Sequence, residues 1–206
     1  MENKHQYFIT GIGTGVGKTF VSALLTYKLK AKYWKPIQAG TQTGTDTEFV
    51  QKISRLPDEH FIPSVYTLKT PSSPHLAANI EQQQISLSEF AHIKLSNYSN
   101  LIVEGAGGVL VPLNDYQTIL DLIRFLKLPA IIVSQHYLGS INHTLMTIRI
   151  LEYASIPIKG IVFNGYNPES ERIILKMSNP DYYLGTIPIV KDTSIDCETL
   201  VHKINL

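Results

Sequence analysis

Four glycines fall within seven residues, Gly11, Gly13, Gly15 and Gly17, and Lys18 and Thr19 follow at once. No other stretch constrains the chain as tightly. Each ordered glycine costs roughly 0.5–1 kcal/mol of extra conformational entropy against alanine. Before them, residues 7–10 read as a short strand. After them, residues 18–32 carry Phe20, Val21, Leu24, Leu25 and Leu29 at helical spacing, with lysines in the last turns. A glycine loop between a strand and a helix lets several backbone N–H groups turn toward one anion. The helix N-terminus adds its positive end.

With Lys-Thr at the helix start, this is the P-loop arrangement. It predicts that Lys18 reaches the β- and γ-phosphates of a nucleotide and that the Thr19 hydroxyl ligates Mg²⁺. The strict pattern G-x-x-x-x-G-K-T fails at one position, because residue 12 is Ile. The structural alternative is a tight glycine-rich turn and nothing more.

The rest of the chain alternates short apolar runs with helical patterns. Strands are expected at residues 33–38, 101–108, 130–134, 158–164 and 182–188. Helices are expected at 46–55, 87–97, 118–129, 141–154 and, briefly, 197–206. Near-continuous apolar strands alternating with helices predict an α/β fold, a P-loop NTPase-like parallel sheet with helices on both faces, spanning 1–206 as a single domain. Ligands of such sheets bind beyond the carboxyl ends of the strands, where the glycine loops after Thr10 and Glu104 both fall. At 206 residues and 44% hydrophobic, the chain can bury a substantial core. Its net charge of +1 gives no field suited to nucleic acid. The single cysteine, Cys197, excludes an internal disulfide. No apolar run approaches the roughly 20 residues of a membrane span, and the first residues lack a signal-peptide pattern. A cytoplasmic protein with no nucleic-acid or membrane partner is the expectation.

Glu104 ends an apolar strand in NLIVEGAGG, where an acid can hold Mg²⁺ directly or through water. Asp46 has two readings. Thr45-Asp46-Thr47-Glu48 fits a capping box, and Asp46 is also placed to bind metal. Lys35, before Pro36, is not singled out by spacing.

Together the stretches TGIGTGVGKT, KPIQAG, TPSSPHLAA, VEGAGGVLVPL and LGSINHTLMT resemble, in order, those of the dethiobiotin synthetase family. The resemblance covers residues 7–164 and extends weakly to 188. It implies a homodimeric P-loop enzyme of biotin synthesis. From 7,8-diaminononanoate, CO₂ and ATP such an enzyme makes dethiobiotin: an amine captures CO₂ as a carbamate, the γ-phosphoryl passes to the carbamate, and the second amine closes the ring and expels phosphate. ATP is a substrate and Mg²⁺ the cofactor.

By the same resemblance Gly15, Val16, Gly17, Lys18, Thr19 and Phe20 bind nucleotide with Asp46, Glu104, Gly105, Ala106 and Gly107. Asn164 and Pro188, Ile189 and Val190 meet the base. Thr19, Asp46 and Glu104 surround Mg²⁺. Lys35 acts with Lys18 on the reacting groups, and Thr14, Lys35 and Thr41 face the substrate. Gly139, Ser140 and Asn142 hold the substrate carboxylate across the dimer interface, with Ser140 expected as the N-cap of its helix. His75 and His143 are expected to pack or hydrogen-bond rather than ligate metal.

The chain departs from the family at Gly15, often acidic there, and at Ala39, a serine in some members whose contact Thr41 is placed to replace. A partitioning-type switch ATPase and a small-molecule kinase are the alternatives. The first normally carries a signature lysine five residues before the P-loop lysine, where this chain has Gly13.

Overall fold

The computed structural model describes residues 4–190 and 197–206. The readings of the first three residues and of 191–196 lie outside it. The chain runs through β1 (His5–Gly11), α1 (Lys18–Leu29), β2 (Lys32–Trp34), β3 (Ile37–Ala39), α2 (Asp46–Ser54), β4 (Phe61–Ile62), β5 (Tyr66–Leu68) and α3 (Pro74–Ile80). It continues through β6 (Asn100–Gly108), α4 (Ile119–Leu126), β7 (Ala130–Gln135), α5 (Ser140–Tyr153), β8 (Ile158–Asn164), α6 (Pro168–Met177), β9 (Tyr183–Ile187) and α7 (Cys197–Leu200). Among the described residues, seven strands form one sheet in the order β4-β2-β6-β1-β7-β8-β9, with β3 and β5 as a separate pair. Every strand pairing is parallel.

The period of two along each strand divides the core between the faces. Tyr7 and Ile9 of β1, Ile102 of β6, Ile131 and Val133 of β7 and Val162 of β8 pack with Val21, Leu24 and Leu25 of α1, Val50 and Ile53 of α2 and Leu200 of α7. Phe8, Leu101, Val103, Ile132, Ile161 and Phe163 point the other way, onto Leu122 and Ile123 of α4, Ile148 and Leu151 of α5 and Ile174 of α6. Each such side chain contributes roughly 1.5–3 kcal/mol by burial. The expected parallel sheet covered on both faces is what forms.

Two expected elements differ. The strand expected over 33–38 divides at Lys35 and Pro36. Proline has no N–H for the ladder, and β3 leaves the main sheet to pair with β5. The helix expected over 87–97 is two 3₁₀ turns, Leu87–His92 and Leu95–Asn97. Leu87, Phe90 and Ile93 recur every third residue, which suits three residues per turn better than 3.6. Of these three, only Phe90 is fully buried. Helices α3 and α6 were not anticipated. Each has proline in its first turn, where the missing N–H costs nothing.

Candidate active site

The loops that carry chemistry all leave the carboxyl edge of the sheet, as expected for parallel strands. The β1–α1 loop turns through Gly15 (φ 76°) and Gly17 (φ 96°). A Cβ on Gly17 would lie 2.3 Å from the Asn164 amide nitrogen, so the position admits only glycine. Ile12 takes no left-handed backbone and packs against both cores. The broken consensus at residue 12 therefore costs the loop nothing, because the turn is made later.

Lys18 opens α1 and donates from Nζ to the Gly13 carbonyl at 2.8 Å. Burial, then the nearby charge of Lys35, lower its pKa from 10.5 to about 8. Thr19 Oγ1 lies 2.9 Å from Asp46 Oδ1 and 2.9 Å from Glu104 Oε1. Lys35 Nζ sits 2.6 Å from Asp46 Oδ2 and 3.0 Å from Glu104 Oε1, and donates to the Gly105 carbonyl at 3.0 Å. Burial opposes the charge on Lys35, but Glu104 and Asp46 together outweigh it and raise its pKa. Burial likewise opposes the Asp46 carboxylate; the contact with Lys35 prevails and holds its pKa below the usual value.

The two readings of Asp46 are compatible. Thr45 caps α2 by accepting from the Glu48 N–H at 3.1 Å, and Glu48 accepts from the Thr45 N–H at 2.7 Å. With that box closed by its neighbours, Asp46 is left to face Thr19 and Lys35. One contact was missed entirely. Tyr33 donates its hydroxyl to Glu104 Oε2 at 2.9 Å. Burial, then the charge of Glu104, raise the Tyr33 pKa well above 10.

Lys18, Thr19, Lys35, Asp46 and Glu104 line a cavity of about 1040 Å³, together with Thr14, Gly15, Gly17, Phe20, Ala39, Ala106 and Gly107; Tyr33 lies behind it. Its other wall comes from residues not anticipated: Thr43, Phe49, Lys52 and the turn Pro71-Ser72-Ser73-Pro74. The TPSSPH stretch was the available signal for that turn. Val16 is buried beneath the loop, its carbonyl accepting from Asn164 Nδ2 at 3.0 Å. Asn164, Pro188, Ile189, Val190, Gly105 and Thr41 do not line this cavity. The Asn164 Oδ1 is buried and takes no hydrogen bond from the described residues.

Gly139, Ser140 and Asn142 stand apart from the cavity, and the expected Ser140 cap is corrected. Gly139, at φ 99°, is the N-cap, and Ser140 is the first helical residue, 2% exposed. The turn out of β7 needs a left-handed residue just before α5, which glycine supplies and serine does not. His75 and His143 hydrogen-bond to Ser73 and Tyr137. Among the described residues no three His, Cys, Asp or Glu side chains group as metal ligands.

The family model described as an AAA domain matches residues 5–195. The ATP-dependent dethiobiotin synthetase BioD of Cytophaga hutchinsonii is 48% identical over 189 residues, covering 91% of each chain. That of Christiangramia forsetii is 46% identical, covering 83% of this chain and 82% of its own. That of Novosphingobium aromaticivorans is 40% identical, covering 89% and 88%. Among solved structures, a ParA family ATPase from Chlorobium tepidum superposes with a TM-score of 0.55 at 17% identity, covering 91% of this chain and 86% of its own. The MinC:MinD cell division complex of Aquifex aeolicus gives 0.55 at 16% identity, covering 91% and 82%. At such identities the likeness is one of fold alone.

Proposed function

This chain belongs to the ATP-dependent dethiobiotin synthetase family, and we infer from that membership that it closes the ureido ring of dethiobiotin from 7,8-diaminononanoate, CO₂ and ATP. The observation that carries the inference is the meeting of Thr19, Asp46, Glu104 and Lys35 beside the β1–α1 loop, with contacts of 2.6–3.0 Å. Four separate segments supply them. A bare phosphate turn needs neither Lys35 nor two converging carboxylates.

The donors Thr19, Asp46 and Glu104 are all oxygen, the set a hard cation such as Mg²⁺ requires. Bound there, Mg²⁺ would neutralise phosphate charge during transfer. Lys18 and the loop amides hold the β- and γ-phosphates. Lys35 stands where a carbamate must approach the γ-phosphoryl group. Both are anions, and a preorganised cation between them is worth most in a desolvated site. Ring closure within one substrate then proceeds without an enzyme nucleophile, helped by the high effective concentration of the second amine. Asn164 Oδ1, an acceptor with no partner among the described residues, suits an amino group on the base, and Pro188, Ile189 and Val190 suit its lining. Thr14 and Ala39 face the substrate from the cavity. Thr41, outside the lining, is the weaker candidate for the contact that Ala39 lacks.

The substrate carboxylate is assigned to the α5 start of a second copy. Around Gly139 and Asn142 the surface exposes Leu138 at 104%, Tyr137 at 43% and Met146 at 54%. An exposed apolar patch of this kind suits an interface with a second copy. No helix among the described residues is long and apolar enough to cross a membrane, and cytoplasmic residence fits the reaction.

The test is incubation with diaminononanoate, bicarbonate, Mg²⁺ and ATP, followed by mass spectrometry. Dethiobiotin with stoichiometric ADP is expected. ADP with the diamine unchanged would assign a switch ATPase, and a stable phosphorylated product a kinase.

A further inference from the structure

Glu104 is buried at 1% exposure, and its two carboxylate oxygens have different surroundings. Oε1 meets Thr19 Oγ1 at 2.9 Å and Lys35 Nζ at 3.0 Å, on the side of Asp46 and the cavity. Oε2 is approached by the Tyr33 hydroxyl at 2.9 Å. Tyr33 is wholly buried and does not line the cavity. It pairs with Ile102 across β2 and β6, so Glu104 is its diagonal neighbour two residues along the same face. A long side chain spans that diagonal, and the phenol oxygen supplies the last atom of reach. The Phe61 ring meets the Tyr33 ring edge-on, with centroids 6.2 Å apart and planes at 60°, which fixes the ring.

We infer that Tyr33 is a positioning residue for the metal site: its hydroxyl fixes Glu104 Oε2 so that Oε1 is presented beside Thr19 and Asp46 to a divalent cation. The inference rests on the reading of Thr19, Asp46 and Glu104 as that site. Two physical points support it. The terminal torsion of a glutamate is broad and roughly two-fold, so a contact on the second oxygen narrows the orientation in which the first is presented. A neutral donor on Oε2 holds it without adding a second positive charge, so the carboxylate keeps its full charge for a cation. Lysine in Tyr33's place would compete with the metal; phenylalanine would leave Oε2 buried without a partner.

The test uses the full chain with ADP bound and reads Mg²⁺ affinity directly by calorimetry, alongside the Mg²⁺ dependence of turnover. Tyr33→Phe keeps the ring and removes the hydroxyl. Mg²⁺ binding is expected to weaken about tenfold, the loss typical of one hydrogen bond to a charged group. Turnover at saturating Mg²⁺ should largely recover, and ADP affinity measured without metal should be unchanged. In a Glu104→Gln background, removing the hydroxyl should have no further effect on Mg²⁺ affinity. If Tyr33→Phe does not fold, Tyr33→Met fills the same slot without a hydroxyl and serves the same comparison. A folded variant with wild-type Mg²⁺ affinity, while Glu104→Gln alone weakens it, overturns the inference and leaves the metal reading intact. If Glu104→Gln also binds Mg²⁺ as wild type, the metal reading fails and takes the inference with it.

Discussion

Lys18 and Lys35 stand in one site with opposite proton affinities. Burial, then Lys35, lower Lys18 to about 8, whereas two carboxylates outweigh burial at Lys35. A phosphate against Lys18 would favour its charged form and raise its pKa. Between the free and bound values, nucleotide binding must then take up a proton. Calorimetry in buffers of different ionisation heat should show net uptake at pH 8.5 and almost none at pH 6.5, with affinity falling as pH rises above 8. No uptake at pH 8.5 would mean that Lys18 carries the same charge in the free and the bound protein. Lys35 acts at a later stage. Lys35→Gln should lower turnover by about 10²–10³ while ATP binding stays within a few-fold, since one well-placed electrostatic contact is removed from the transition state. Steady-state rates and a nucleotide titration on the same folded variant separate the two effects.

Helix α2 shows how an element places a functional group it does not itself need. Thr45 and Glu48 close the capping box, which sets the first turn, and Asp46 is delivered to Thr19 as a consequence. Thr45→Ala should cost about 1 kcal/mol of stability in a denaturant titration. It should also weaken Mg²⁺ binding, because the first turn that carries Asp46 loses its anchor. The capping box was legible in Thr45 and Glu48, and the phosphate loop in Gly17, Lys18 and Thr19, because both are local patterns with one dominant geometry. The break at Pro36 was legible in principle, since an expected strand over 33–38 contains a residue that cannot donate. The Leu87–Asn97 region misled because only three apolar residues, Leu87, Phe90 and Ile93, set the pattern, and at spacing three they still fall within one broad stripe of an α-helix. The α5 cap misled because serine is the better N-cap by preference, and only the turn out of β7 reveals that Gly139 must take the left-handed position. Tyr33 was not legible at all. In an apolar strand a tyrosine reads as core, and its contact with Glu104 depends on the register of β2 against β6, which no local pattern carries.

At the scale of the whole molecule, the α5 start lies outside the cavity of its own chain, so the proposed carboxylate contact requires a partner. Asn142 is exposed, and Asn142→Asp places a negative charge at that surface without touching the core. That charge is expected to repel the substrate carboxylate and stop turnover; mixed with Lys35→Gln and allowed to exchange, the two variants should restore about a quarter of wild-type turnover, because half the dimers are mixed and each has one intact site. No recovery after demonstrated exchange would place the whole site within one chain. The arrangement of Lys18, Lys35, Asp46 and Glu104 has a separate consequence. Two ammonium groups and two carboxylates cancel formally, and each carboxylate already has a positively charged neighbour. The protein thus carries its own counterions where its ligands bind, and its fold does not wait for a metal to neutralise buried acid. Overnight dialysis against a chelator should leave the thermal midpoint unchanged, in contrast to domains whose folding is metal binding. A drop of several degrees on dialysis would reveal a structural ion.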